Sequence, residues 1–167
     1  MMIISFQAFS QETNFTGCWI NSLFQFEVSM KHEDIAVIKR NSGYNCAQAV
    51  LCAYAEELGM DEKQLFALSE GFGSGLGCTL GTCGALNAAC MIQSAMSSTC
   101  HLDHPDSKAS TYPKIRNLLK AFEKNVGALR CRDIKGIETG NVLCECEDCV
   151  RIACRLVDEM VFNKKGE

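Results

Sequence analysis

From Gly71 the chain reads Gly-Phe-Gly-Ser-Gly-Leu-Gly, and six residues after Gly77 a cysteine, Cys83, opens a run of small apolar residues, Gly84-Ala85-Leu86-Asn87-Ala88-Ala89-Cys90. Glycine at every second position (Gly71, Gly73, Gly75, Gly77) takes positive φ cheaply and lets other backbone or a ligand approach closely. The small residues that follow form a helix with little surface bulk. Cys83 therefore falls at or near the N-terminus of a buried helix. Unpaired N–H groups and the positive end of the helix dipole there favour thiolate over thiol. A free thiol with pKa near ~8.5 is only a few per cent ionised at neutral pH, so this placement is a mechanism for reactivity.

Twelve cysteines in 167 residues raise the question of what partners Cys83 has. A disulfide framework would suit a short secreted chain. This one is long enough to bury a core and rich in Ala, Leu and Val, so it needs no staples. Clustered cysteines in a reducing compartment point instead to redox chemistry or metal binding, with about half of them serving as small buried hydrophobes. The net charge of −4 argues against nucleic acid, which usually requires a basic stripe. No apolar run approaches the ~20 residues that span a bilayer, and no secretory signal is evident. A cytoplasmic location is expected.

Residues 1–29 have no clean period, and Met30 makes a natural start. They are expected to be a poorly structured extension, upstream of the true start, ahead of a single domain over 30–167. From Glu33 the pattern is helical. A short helix carrying Ile35, Ala36 and Ile38 stops at Asn41-Ser42-Gly43. A second, apolar over most of its circumference and therefore central, runs from about Asn45 to Leu58, with Gly59 as its stop. Asp61 and Gln64 suit a capping box, Met60 and Leu65 a staple, with Phe66 and Leu68 facing inward. The Cys83 helix reaches about Ser97, and a polar loop covers 98–112. Ile115, Leu118, Leu119, Phe122 and Val126 then restore the helical period up to Gly127. The last helix spans about Asp148 to Phe162. These add up to an all-α, compact single-domain bundle of about five to six helices.

Three cysteines fall in Cys144-Glu-Cys146-Glu-Asp-Cys149. Cys146 and Cys149 form a C-x-x-C at a helix start, a spacing that suits a dithiol/disulfide pair or two ligands of a thiolate-bound metal. Glu145, Glu147 and Asp148 would push nearby thiols up. A complete zinc site needs a second such pair, and the chain has none. The glycines lack a full G-x-G-x-x-G after a strand and no G-K-[ST] follows, which excludes dinucleotide and P-loop sites. Cys100, His101, Asp103 and His104 read as a solvated turn. Ser97 stands where a C-x-x-C-H needs its first cysteine, so no c-type haem is inferred. Cys52, Cys78, Cys90 and Cys154 read as packing residues.

Tyr44-Asn-Cys46-Ala-Gln-Ala-Val-Leu, Gly71-Phe-Gly-Ser-Gly75 with Thr82-Cys83-Gly84-Ala85, and Cys131-Arg-Asp-Ile-Lys-Gly136 resemble the redox-active protein family named for its C_GCAxxG_C_C pattern. The resemblance spans about Ile35 to Val161. It implies that Cys46, Cys83 and Cys131 are the first three signature cysteines. Cys146 would be the fourth, with Cys149 as the alternative. Ser74 and Ala88 depart from the pattern, standing where glycines are usual. The residues support thiol/disulfide exchange or electron transfer, with Cys83 attacking and Cys46, Cys131 or Cys146 resolving, which leaves a thiol-disulfide oxidoreductase as one enzyme the chain could be. The alternative is a zinc or iron–sulfur protein using Cys46, Cys83, Cys131 and Cys146 as ligands. Gly73, Gly75, Gly77 and Gly84 are where bare backbone would admit a cofactor. An unspecified redox partner is implied, and helices with small residues leave room for a homodimer.

Overall fold

The computed structural model describes residues 30–162. In chain order they form α1 (His32–Asn41), α2 (Cys46–Ala53), the single turn α3 (Ala55–Leu58), α4 (Glu62–Ser69), a 3-10 turn at Glu70–Phe72 and the single turn α5 (Gly73–Leu76). Then come α6 (Gly84–Ala95), α7 (Lys108–Val126), the single turn α8 (Cys131–Ile134) and α9 (Cys146–Met160). Among the described residues there is no strand, only an isolated antiparallel bridge between Thr82 and Arg130. The fold is all-α. The expectation for residues 1–29 lies outside the described residues.

The central helix is fixed at its start by Asn45. Its side-chain oxygen accepts from the N–H groups of Ala47 (2.9 Å) and Gln48 (3.0 Å), and the Gln48 side chain accepts from the Asn45 N–H (3.0 Å). This capping box satisfies the donors that a helix start leaves unpaired. Every residue from Ala47 to Ala53 is buried, because α1, α4, α6 and α9 surround α2. The helix expected to continue to Leu58 breaks at Tyr54 (φ −109°, ψ 20°). Tyr54 is fully buried, and its hydroxyl reaches the Cys154 carbonyl (2.9 Å) and the Asp158 carboxylate (3.0 Å) on α9. A buried tyrosine needs such a partner, and apolar periodicity does not register that demand.

Other boundaries shift for local reasons. Gly59 and Gly127 stop their helices in the left-handed region, as read from sequence. Leu68, expected to face inward, is 64% exposed. α4 instead buries Leu65 and Ser69, whose hydroxyl is satisfied by the Leu65 carbonyl (2.7 Å). α6 ends at Ala95, two residues short of expectation. α7 begins at Lys108, inside the segment read as loop, because the Ser107 carbonyl accepts from both the N–H and the hydroxyl of Thr111 (3.0 Å each). α9 begins at Cys146, two residues early, which places both cysteines of the C-x-x-C inside the helix.

α1 closes the bundle against α9. Its His32 is buried between two carboxylates, with Nδ1 donating to Asp158 (2.7 Å) and Nε2 to Glu57, and its ring stacks on Tyr54 at 4.0 Å. The far end of α1 carries Arg40 toward the N-terminus of α2, and there the cysteines gather.

Candidate functional site

The alternating glycines build a left-handed turn. Ser74, Gly75, Leu76 and Gly77 have φ of 50°, 61°, 61° and 73° in succession. The turn is closed by hydrogen bonds from the Gly77 N–H to the Gly73 carbonyl (2.8 Å), Thr79 to Ser74 (2.8 Å) and Gly81 to Gly75 (3.1 Å). Left-handed backbone costs roughly 1–2 kcal/mol at each non-glycine residue, here Ser74 and Leu76. Strain of this kind persists where surrounding contacts fix it.

Three glycines expected to admit a cofactor have the chain's own atoms against them. A Cβ on Gly73 would lie 2.5 Å from Asn45 Cγ, one on Gly75 2.5 Å from Cys131 Cβ, and one on Gly84 2.5 Å from Cys46 Sγ. Gly77 has open space around it and is needed for its positive φ. Missing side chains thus let α2, α6 and α8 bring their cysteines close together.

Long-range backbone pairing completes the assembly. Beside the Thr82–Arg130 bridge, the Cys83 N–H donates to the Leu129 carbonyl (2.8 Å), Cys131 N–H to Gly81 (3.0 Å) and Arg132 N–H to Thr79 (2.9 Å). Cys83, the N-cap of α6, therefore sits beside Cys131, the first residue of α8. α9 adds Cys146 from its first position and Cys149 from one turn on, neighbours on one helix face. Cys46, Cys83, Cys131, Cys146 and Cys149 all line one cavity of about 70 Å³. Arg40, Asn45, Ser74, Ile134 and Lys135 complete the wall.

The thiols are not equivalent. Interaction with the Cys149 thiol is the largest influence on Cys83 and, against the cost of burial, brings it down to about 7. The Ala85 and Leu86 amides and the Arg40 charge act in the same direction, although no aligned cap hydrogen bond forms at the sulfur. Cys149 is driven upward by that same interaction with Cys83 and by burial, so it is the partner that keeps its proton. The neighbouring carboxylates, expected to raise it, are not the main cause. Burial raises Cys46, opposed by the Ser74 N–H, and raises Cys131 to about 11. Cys83 is thus lowered while Cys46, Cys131 and Cys149 are raised.

Thiolates are the soft donors of zinc and iron–sulfur sites. Yet among the described residues no three or more His, Cys, Asp or Glu side chains are placed so as to hold a metal ion. The arrangement does not fit such a group.

Of the remaining cysteines, Cys52 and Cys154 are buried and Cys90 is half-buried, as packing residues should be. Cys78 is exposed and is not one. Cys100 is exposed in its loop, and Cys144 lies behind Cys149, whose thiol approaches its carbonyl at 4.0 Å. Sequence reasoning missed Arg40, Asn45 and Lys135. Asn45 and Gln48 did carry a readable capping-box signal, whereas nothing local marks either cation.

Fold and site together define a class: a helical domain that holds a left-handed glycine turn beside a cluster of cysteines lining one cavity. A family model described as "Putative redox-active protein (C_GCAxxG_C_C)" matches residues 44–160, and the chain belongs to that family. The match begins after α1, so Arg40 lies ahead of it. No curated protein and no solved structure matches the chain.

Proposed function

We propose that this protein is a thiol–disulfide exchange protein in which Cys83 attacks and Cys149 resolves. The observation that carries the reading is that Cys83 and Cys149 line one cavity, where their interaction lowers Cys83 and raises Cys149. Attack requires thiolate, and an attacking thiol with pKa near ambient pH is the most effective.

The Cys83 thiolate attacks one sulfur of a substrate disulfide. The S–S bond breaks, a substrate thiolate leaves, and a mixed disulfide forms on Cys83. The departing thiolate takes the proton of Cys149. The Cys149 thiolate then attacks the Cys83 sulfur and expels the second substrate half. Two electrons pass from the protein dithiol to the substrate, leaving a Cys83–Cys149 disulfide that a dithiol redox partner reduces. A reducing compartment such as the cytoplasm would sustain the cycle. Cys46, Cys131 and Cys146 line the same cavity and exchange secondarily. The iron–sulfur or zinc reading has the donor types but not their placement.

The test is differential alkylation of the reduced and the oxidised protein with peptide mapping. Cys83 and Cys149 should both be labelled after reduction and both be protected after one equivalent of disulfide oxidant. Labelling of Cys83 that is indifferent to oxidation contradicts the proposal.

A further inference from the structure

Two cations face the cysteine cavity. Arg40, in the last turn of α1, and Lys135, just past α8, both line it, and both are half-buried. Among the described residues neither forms an ion pair, although Lys39, Arg130, Arg132, Arg151 and Arg155 all do. No carboxylate lines the cavity. A half-buried cation without a counter-ion is costly to hold in place, and two face one cavity here.

Size narrows the choice of anion. Cys83 and Cys131 are each 6% exposed and Cys149 is 2% exposed, so the surface of a folded protein cannot press a disulfide onto them. A cavity of about 150 Å³ is enough for benzene, and this one is about 70 Å³. It accepts the reactive end of a small molecule.

We infer that the substrate is a low-mass disulfide bearing a carboxylate or sulfonate, whose acid group is met by Arg40 and Lys135 while its sulfur faces Cys83. This rests on the exchange chemistry proposed above and adds the substrate class. The covalent step is the one already written, with both substrate halves leaving as acid-bearing thiols. Arg40 and Lys135 are positioning residues that make no bond to the reacting sulfurs.

Iodoacetate and iodoacetamide are nearly the same size and differ in charge, so the ratio of their rates at Cys83 reads anion preference. Because both react with the same thiolate, the ratio cancels any change in ionisation. In the reduced full-length protein, with Cys83 followed by peptide mass spectrometry, the ratio should exceed that of a small neutral thiol by roughly five- to tenfold, the size expected of opposite charges a few ångströms apart near a protein surface. It should fall in Arg40→Gln and in Lys135→Gln, reach the small-thiol value in the double variant, and survive in Arg40→Lys. Far-UV circular dichroism checks that each variant is helical. A ratio equal to that of the small thiol in the unmodified protein, or unchanged in the double variant, overturns the inference while leaving the exchange reading intact. A Cys83 that iodoacetamide labels no faster than the other cysteines overturns both.

Discussion

Cys83 at the start of α6 and Cys149 one turn into α9 line the same cavity, and their interaction moves the two pKa values in opposite directions. The two residues lie far apart in the chain. Their pairing is therefore a product of folding, and it makes the thiolate and its partner one unit.

The first consequence is a pH profile. Cys83 titrates at about 7, so its alkylation rate should be half-maximal near neutrality and flat well above it. An ordinary thiol would keep gaining rate through about pH 8.5. Stopped-flow or mass-resolved alkylation from acid to alkaline pH measures this, and a midpoint in the ordinary thiol range would be inconsistent with that interaction.

Removing the partner has two separable effects. Cys149→Ser replaces the thiol donor with a hydroxyl and cannot resolve a mixed disulfide. With one equivalent of a small aliphatic disulfide, the variant should accumulate an adduct on Cys83 and release one thiolate, whereas the unmodified protein should release two. Cys149→Ala should in addition raise the Cys83 midpoint by about one unit, the loss of one hydrogen bond to a charged group. Release of two thiolates by either variant would mean that another cysteine resolves.

The glycine turn and the first residue of α6 make opposite predictions. Gly84→Ala places a methyl group 2.5 Å from Cys46 Sγ and 2.7 Å from the Phe72 carbonyl oxygen, with backbone on one side and a site sulfur on the other. Overpacking of this kind costs about 1–3 kcal/mol and should also slow labelling of Cys83. Ser74→Gly relieves a residue held at φ 50° and should stabilise the fold by up to about 1 kcal/mol. Thermal unfolding of the two variants should therefore move in opposite directions from the parent.

How much of this was readable depends on the range of the interactions involved. The all-α fold, the glycine stops at 59 and 127, and the position of Cys83 at a helix start are local, and periodicity with cap chemistry shows them. The break at Tyr54 was hidden because its cause is a hydroxyl reaching α9, more than a hundred residues away in the chain. Leu68 misled because an internally satisfied serine, Ser69, takes the buried place. At the site, the chain named Cys46, Cys83, Cys131 and Cys146, with Cys149 as the alternative fourth, but not which of them would act with Cys83. The choice of Cys149 over Cys46, Cys131 or Cys146 as the partner of Cys83 rests on how α9 packs on α6, and no spacing records that. Arg40 was overlooked for the same reason, since α1 reaches the cavity only by folding back on α2.

Away from the cavity, His32 ties α1 to α9 and gives stability a pH signature. Burial works against its protonation, but the Asp158 and Glu57 carboxylates outweigh it and raise its pKa above the ordinary value of 6.5. A group raised in the folded state stabilises fully below its unfolded pKa and loses that contribution as pH rises through the folded value. Because the carboxylates are partly exposed, the cluster contributes about 1–2 kcal/mol, less than a fully buried pair. His32→Gln should lower the melting temperature most below about pH 6.5, and the gap should narrow toward alkaline pH. A gap independent of pH would mean that the ring serves by stacking on Tyr54 alone.

The most direct measurement is the position of the first disulfide. Reduced protein treated with one equivalent of a small disulfide, quenched in acid and digested without reduction, should yield a linked peptide pair joining Cys83 to Cys149 as the dominant species. A dominant link that omits Cys83, or protein that comes through anaerobic purification with stoichiometric metal on these thiols, would contradict the account.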